Sequence, residues 1–280
     1  MQVQTQTQWS DMIHGACNPD ARAGRGQDQN IIEMVRQAIA LQDVTLAYQP
    51  IMQARDPKKV AFYEGLVRVL DETGKIIPAY KFMDSVEATE LGRQLDTLAL
   101  GEGLRTLHEN PELRLSINMS VRTIHCRQWH RTLNRWLSRD GLIAERLIIE
   151  ITESSAMKAP DAVASFMKKL QAKGISFALD DFGAGFTALR YFKDFSFDIL
   201  KIDGHFIQGI AHDPDNQALT AALVSIAQHF NMLTVAEFVD DQEDTETLIG
   251  LGLDCLQGYH FAKPTTRPYW MQAKATRKAS

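Results

Sequence analysis

Cysteine is scarce in this chain of 280 residues, and long hydrophobic runs are absent. The three cysteines, Cys17, Cys126 and Cys255, lie far apart and form no CxxC motif. Their number and spacing argue against a disulfide scaffold and a structural zinc site, and they fit a reducing cytoplasm. No segment approaches about 18 uninterrupted apolar residues, so the sequence predicts no membrane span. The first residues also lack the basic and apolar regions of a signal peptide.

An excess of positive charge is missing too. The chain has 30 Lys and Arg residues against 35 Asp and Glu residues, which gives a formal net charge of -5. Proteins that hold long nucleic acids depend on a basic surface, so we expect no long nucleic acid among the partners. An anionic ligand must therefore be bound by a local arrangement of residues.

Short β-rich apolar runs alternate with helical stretches along most of the chain. The runs cover residues 44–52, 60–69, 113–119, 146–152, 175–181, 197–202, 232–238 and 254–259, and helical stretches cover 78–107, 160–172, 216–230 and 242–251. About eight strands that alternate with helices predict an α/β protein whose parallel sheet closes into a barrel. The first two runs are joined by residues 53–59, which are too few for a crossover helix, so one strand should pair antiparallel.

The alternation is continuous and predicts one domain. Residues 1–28 are rich in Gln, Asp, Gly and Arg without a clear period, which predicts a flexible N-terminal extension. Helical spacing begins near Asn30, a candidate N-cap. The barrel is assigned to residues 29–268 and a C-terminal tail to residues 269–280. We expect the tryptophans to serve packing; they include Trp129, Trp136 and Trp270.

Polar side chains interrupt the apolar runs, mostly near their C-terminal ends. A single carboxylate in a strand is more often an exposed edge residue or part of a capping ion pair. Polar residues on six or seven successive strands need another explanation, because the C-terminal ends of barrel strands converge on one mouth. The residues concerned are Glu64, Asn118, Glu150, Asp180, Asp181, Lys201, Glu237 and Gln257.

Carboxylates and an amide are the hard oxygen ligands that Mg²⁺ or Mn²⁺ prefers. The adjacent Asp180 and Asp181 can serve two cations, and such a pair of metals suits in-line attack at phosphate. Lys201 either orients the attacking water or neutralises the acids, and the two interpretations are compatible. The glycines that follow, Gly183 and Gly185, indicate either an ordinary turn or a loop that closes over the metals.

Eight segments in this order resemble the EAL-domain phosphodiesterases of cyclic di-GMP signalling, over about residues 47–264. The segments are YQPI at 48–51, EGLVR at 64–68, SINMS at 116–120, IEITES at 149–154, DDFGAGF at 180–186, LKID at 200–203, AEFVD at 236–240 and QGYHFAKP at 257–264. The resemblance implies a modified TIM (β/α)8 barrel that cuts one phosphodiester bond of cyclic di-GMP to give linear 5'-pGpG. It implies two Mg²⁺ or Mn²⁺ ions per active site.

The resemblance also implies roles for single residues. The implied first-metal ligands are Glu64, Asn118, Glu150 and Asp180; the implied second-metal site consists of Asp180 and Asp181 with Glu237 close by. Lys201 would contact the nucleophilic water, with Glu237 as a candidate base, so Glu237, Lys201 and Glu64 are the expected catalytic residues. The implied substrate-binding positions are Gln49, Arg68, Gln257 and Asp240, and Glu153 would anchor the loop that begins at Phe182. The loop and helix after Asp181 would form a homodimer interface.

Three positions depart from the family's pattern. Gly65 replaces the alanine of the EAL signature, Phe238 stands where the family usually has Gly, and Asp240 where it usually has Glu. We expect mild loosening at Gly65 and a longer or water-filled bond at Asp240. Two alternatives to an enzyme are a non-catalytic cyclic di-GMP receptor and a protein-interaction module. Both usually lack metal ligands that this chain retains.

Overall fold

The computed structural model describes residues 19–183, 193 and 195–271, and for residues 19–28 the backbone alone. The described strands are β1 (Val44–Gln53), β2 (Asp56–Leu70), β3 (Ile76–Pro78), β4 (Leu115–Asn118), β5 (Leu147–Thr152), β6 (Ser176–Phe182), β7 (Ile199–Ile202), β8 (Leu233–Ala236) and β9 (Cys255–Leu256). The helices are α1 (Pro19–Leu41), α2 (Met83–Val86), α3 (Glu90–Glu109), α4 (Arg127–Arg139), α5 (Glu153–Lys158), α6 (Pro160–Gln171), α7 (Gly204–Ile207), α8 (Pro214–His229) and α9 (Gln242–Gly250).

Eight of these strands close into a barrel in the order β1-β9-β8-β7-β6-β5-β4-β2, and β1 pairs with β2 to complete the circle. Strands β2 and β4 to β9 run parallel, whereas β1 is antiparallel to both of its neighbours. The predicted modified (β/α)8 barrel with one antiparallel strand is confirmed. Only two residues separate β1 from β2, so a tight hairpin is the sole connection available.

Several boundaries differ from the sequence prediction. The stretch predicted as one helix at 78–107 contains a 3₁₀ turn, α2 and α3, and Thr89 caps α3 by accepting a hydrogen bond from the Leu91 amide. Strand β3 was not predicted; it has three residues and pairs with the end of β2, outside the closed barrel. Helix α1 begins at Pro19, so Asn30 lies inside it and is not its N-cap.

Helix α1 lies on the mouth side of the barrel. Its buried residues Val35 and Ala38 form a cluster with Val44 and Val69 and with the buried apolar face of α2 and α3. Val44 pairs with Val69 near the C-terminal end of β2, which is parallel to the other strands that end at the mouth. The helix therefore reinforces the rim of the barrel. Residues 1–18 of the predicted extension lie outside the described residues.

The barrel interior is filled by a layer of apolar side chains from seven strands. All are buried, and they form one cluster: Ile51, Phe62, Ile148, Ala178, Ile199, Val235 and Cys255. Side chains two residues apart on a strand point to the same face. Each apolar residue therefore lies directly below a polar residue of the same strand, as Ile148 lies below Glu150 and Ile199 below Lys201. The apolar layer is the floor of the mouth.

Trp270 packs against the outside of the barrel wall and is buried there, although it falls within the predicted tail. Its ring packs edge-on against Tyr63, with centroids 4.5 Å apart, and against Tyr48 at 5.5 Å. We expect Trp270→Ala to lower the free energy of unfolding by about 3 kcal/mol or more, because it leaves a cavity beside both tyrosines. Urea unfolding measures the loss, with the exposed Leu142→Ala as the near-neutral control. A loss below about 1 kcal/mol would contradict this packing role.

Candidate active site

A polar layer lies directly above the apolar floor at the mouth of the barrel. The predicted residues from the strands β1, β2, β5, β6 and β7, and from the ends of β8 and β9, all reach it and are buried: Gln49, Glu64, Glu150, Asp180, Lys201, Glu237 and Gln257. Asn118, half-buried at the end of β4, joins them. The sequence prediction that these side chains meet in space is thereby confirmed for the described structure.

Lys201 is the centre of this layer. Its Nζ lies 2.7 Å from Asp180 Oδ1, 2.8 Å from Glu150 Oε2, 2.9 Å from Glu237 Oε1 and 3.4 Å from Glu64 Oε2. The lysine side chain is 1% exposed, so water contributes almost nothing to the solvation of its charge. Four carboxylates from four different strands therefore share one buried ammonium.

Two amide side chains complete the hydrogen bonding of the Glu64 carboxylate. Asn118 Nδ2 donates to Glu64 Oε1 at 2.8 Å, and Gln257 Nε2 donates to Glu64 Oε2 at 2.6 Å. Gln257 Nε2 also lies 3.3 Å from Gln49 Oε1, and Gln49 donates to the Ala262 carbonyl at 3.1 Å. Gln49 and Gln257 thus fix the position of Glu64 from the side of β1 and β9.

A local irregularity of β6 brings both aspartates to the same site. Consecutive strand residues normally point to opposite faces. Between Leu179 and Phe182, β6 holds one more residue than its partner β7, and Asp181 has a φ of 54°. One oxygen each from Asp180, Asp181 and Glu237 consequently lies within 4.8 Å of the other two. This is the grouping predicted for the second metal.

The charges shift one another's pKa values. Burial alone would lower the pKa of Lys201, but Asp180, Glu150, Glu237 and Glu64 raise it well above its ordinary value. Burial opposes ionisation of Glu64 as well, yet Lys201 and the two amide donors hold its pKa below the ordinary value. Burial followed by repulsion from Glu64 raises the pKa of Glu150 to about 8. Burial, with Asp180 and Glu64 nearby, raises that of Glu237 well above its usual range.

The donor set fits divalent cations. Glu150 Oε1 and Glu237 Oε2 are buried and have no hydrogen-bond partner among the residues that the structure describes. A buried carboxylate oxygen without a partner is unfavourable, and a cation would satisfy it. All the groups are oxygen donors, which suits Mg²⁺ or Mn²⁺ better than zinc.

Glu153 links this site to the segment after β6. It is the first residue of α5, and its Oε2 accepts a hydrogen bond from the Gly183 amide at 3.1 Å. Gly183 has a φ of 98°, which a glycine adopts without strain. The contact is where the resemblance implies a loop anchor. The rest of that loop, 184–192, lies outside the described residues.

A cavity of about 790 Å³ opens above the acids. Its floor includes Glu64, Asp180, Asp181 and Glu237, and its walls carry two cations and three aromatic rings: Arg68, Lys263, Tyr80, Phe238 and Tyr259. The Lys263 ammonium lies 5.2 Å from the centroid of the Tyr259 ring. The walls can therefore contact an anion that also carries flat apolar groups.

Comparisons with known proteins agree with this geometry. The sequence pattern that defines the EAL domain matches residues 32–264. The chain belongs to the EAL domain family. This EAL domain is 30% identical over 247 residues to the bifunctional diguanylate cyclase/cyclic di-GMP phosphodiesterase MucR of Pseudomonas aeruginosa, covering 86% of the chain and 36% of MucR. It is 30% identical over 250 residues to the cyclic di-GMP phosphodiesterase PdeA of Borreliella burgdorferi, covering 88% of the chain and 37% of PdeA.

Solved structures show the same fold. The MucR phosphodiesterase of P. aeruginosa, in complex with c-di-GMP, superposes with a TM-score of 0.77 at 29% identity, covering 87% of this chain and 99% of that one. The FimX EAL domain of Xanthomonas citri has a TM-score of 0.75 at 24% identity, covering 85% and 94%. The chain spans about a third of the length of the curated relatives it matches.

The three departures of this EAL domain from the family's pattern have distinct structural settings. At Gly65, an added Cβ would lie 2.8 Å from Ile117 Cδ1, so the Ile117 methyl already occupies the space of the missing alanine. Asp240 is exposed at the edge of the cavity and accepts a hydrogen bond from Gln208 at 3.2 Å. Phe238 has a φ of 55°, where a bulky residue is strained by about 1–2 kcal/mol and Gly is relaxed.

Sequence reasoning missed Asp96. This residue of α3 accepts hydrogen bonds from the Ser120 amide at 3.0 Å and from Thr123 Oγ1 at 2.6 Å, and so holds the segment that follows Asn118. Burial raises its pKa to about 7. An acid within the apolar pattern of QLDTLAL was the available signal. Tyr80 and Lys263 were missed as well, since surface aromatic and basic residues carry no distinctive pattern.

The raised pKa values of the crowded acids predict that the stability of the metal-free EAL domain depends on pH. Burial raises the pKa of Glu150 from 4.5 to about 8, so between these values the folded protein keeps a proton that the unfolded chain releases. Stability is therefore greatest at low pH within this window and falls as the pH rises. We expect a loss of about 2 kcal/mol or more between about pH 5 and pH 8 in urea unfolding with EDTA. Glu150→Gln should make the curve less steep, with a remainder from Asp96 and Glu237, whose pKa values are also raised. An equally steep curve in that variant would contradict the assignment.

Proposed function

We propose that this EAL domain hydrolyses one phosphodiester bond of cyclic di-GMP to linear 5'-pGpG and so lowers the level of the second messenger. The observation that carries the proposal is the set of four carboxylates around Lys201, joined by Asp181, at the base of a cavity with cationic and aromatic walls. The similarity to MucR and PdeA supports the same substrate.

Two Mg²⁺ or Mn²⁺ ions are the proposed cofactors. The residues that would hold them are Glu64, Asn118, Glu150, Asp180, Asp181 and Glu237. When bound, such a pair lowers the pKa of a water and stabilises the leaving oxygen. Acid crowding in the layer favours uptake, because the net charge of five carboxylates and one ammonium is strongly negative when all are ionised.

The protein's own groups have complementary tasks. Glu237 is the proposed base, since one of its oxygens lies within 4.8 Å of oxygens of Asp180 and Asp181 at the floor of the cavity. Lys201 fixes the positions of Glu150, Asp180 and Glu237, and its ammonium would orient the attacking water. Arg68, half-buried in the cavity wall, would contact a phosphate, with Gln49, Gln257 and Asp240 as further polar positions.

A non-catalytic receptor is the second candidate, because neighbouring EAL structures are complexes with cyclic di-GMP. A receptor needs the cavity walls but not the acids. The retention of every carboxylate, with buried oxygens that lack partners within the described part of the chain, favours the enzyme. A protein-interaction module would not need the polar layer at all.

The proposal also includes a location and an oligomeric state. We place the protein in a reducing cytoplasm, which is consistent with its three scattered cysteines, and expect a homodimer through the loop and helix after Asp181. None of the described helices could cross a bilayer.

Turnover tests the proposal directly. We expect the purified protein to convert cyclic di-GMP to 5'-pGpG with Mg²⁺ or Mn²⁺, with the product identified by chromatography. Glu64→Gln and Asp180→Asn should each reduce kcat at least about a hundredfold, because each removes a charged oxygen from the metal set. The exposed Glu72→Gln and Asp161→Asn are matched controls. Tight binding of cyclic di-GMP without product would establish the receptor instead.

Metal binding has a readout that is independent of turnover. A cation that binds only the folded protein stabilises it by about 2.7 kcal/mol at a free concentration of 100 times its Kd. We expect Mn²⁺ or Mg²⁺ to raise the Tm of EDTA-treated protein at neutral pH. Asp180→Asn should abolish the increase, whereas Asp161→Asn should preserve it. An unchanged Tm with both ions at millimolar concentrations would refute the proposed metal site.

A further inference from the structure

Phe238 combines three features that the metal site does not require. It follows Glu237 directly after β8, it has a φ of 55°, and 54% of it is exposed to solvent at the mouth of the cavity. A large apolar side chain gains little from a position that leaves half of it in water. A glycine would adopt this backbone conformation without strain. The presence of a phenyl ring here therefore requires another explanation.

The Phe238 ring packs against Gly204, the first residue of α7. A Cβ built on Gly204 would lie 2.7 Å from Phe238 Cδ2 and 2.9 Å from Cγ. The phenyl ring thus packs against bare backbone at a distance that no other residue at 204 permits. Gly204 contacts one part of the ring, and the exposed remainder of Phe238 lines the cavity.

The cavity that Phe238 lines carries other groups of matching chemistry. Tyr80 and Tyr259 line the same cavity and are 77% and 60% exposed, and Arg68 and Lys263 supply positive charge. Aromatic rings beside cations are the usual arrangement for binding a base next to a phosphate. Phe238 and Glu237 line the same cavity, so a base stacked on the Phe238 ring would lie in the cavity that holds the acids.

We propose that Phe238, supported by Gly204, is a stacking surface for one base of the cyclic dinucleotide and thereby determines substrate affinity. This inference rests on the proposed function, since it assigns the base contact of the same site. The ring touches the substrate and holds it over the acids, while the metal ligands and Lys201 are unaffected. Phe238 should consequently contribute to KM and Kd, with little effect on kcat.

Four variants separate this role from a structural one. Phe238→Leu keeps an apolar side chain but removes the ring, Phe238→Gly removes it and the backbone strain, and Gly204→Ala displaces the ring. Phe230→Leu is the matched control, because Phe230 is a partly exposed phenylalanine that precedes β8 at the opposite end of the barrel. Tm values are recorded for all variants to identify any loss of folding.

Steady-state turnover gives KM and kcat. We expect Phe238→Leu and Phe238→Gly to raise KM about tenfold, the effect of losing one base stack, with kcat within about twofold of the wild type. Gly204→Ala should act in the same direction and add nothing when combined with Phe238→Gly, because one change displaces the ring that the other removes. Unchanged KM in Phe238→Leu, or additive effects in the double variant, would overturn the inference.

A fluorescence experiment tests the stacking of a base on Phe238 without relying on turnover. A cyclic dinucleotide that carries 2-aminopurine in place of one guanine is mixed with each protein in a stopped-flow fluorimeter. We expect quenching on the wild type and on Phe230→Leu, and a clear reduction of quenching on Phe238→Leu. If the wild type shows no turnover but quenches the probe through Phe238, the proposed hydrolysis fails and the stacking role stands. If the probe does not bind, or binds with equal quenching in both proteins, the stacking role is wrong.

Discussion

The buried ammonium of Lys201 is the interaction on which the rest of the site depends. Four carboxylates from four strands lie within 3.4 Å of it, in a layer that is almost entirely buried. A buried ion is tolerated only when it is paired and hydrogen-bonded, and removal of one partner typically destabilises by about 3–5 kcal/mol. Within the described structure, Lys201 is the cation that offsets the mutual repulsion of these acids. It therefore holds four strand ends together.

Strand periodicity joins this polar layer to the hydrophobic core. Ile148 and Glu150, Ile199 and Lys201, and other such pairs occupy the same face of a strand two residues apart. Each strand thus contributes one side chain to the dry floor and the next to the charged layer. The acids are rigid because the layer beneath them is close-packed, and any shift of a strand would move both layers together. The two-residue periodicity of the strands therefore positions both the hydrophobic core and the polar site.

The features that could be predicted from the sequence are those that repeat. Eight apolar runs with polar residues near their ends gave the barrel, its antiparallel hairpin and the convergence of Glu64, Glu150, Asp180 and Glu237. What escaped prediction depends on single local geometries. Strand β3 is too short for a pattern, Trp270 packs through contacts distant in sequence, and the turn at Thr89 divides one predicted helix. The extra residue in β6 that turns Asp181 toward Asp180 has no sequence signature, because the backbone irregularity arises only in pairing with β7.

The reversal of β1 has a mechanical consequence. In a barrel of uniformly parallel strands, the first strand starts at the closed end, remote from the chemistry. Here β1 starts at the open end, so α1 meets the barrel beside the wall that carries Arg68 and Tyr80. Val35 and Ala38, together with partly buried apolar residues of α1, pack against Val44, Val69 and the apolar face of α2 and α3 beside that wall. A displacement of this helix would therefore act directly on the rim of the mouth, next to Arg68 and Tyr80.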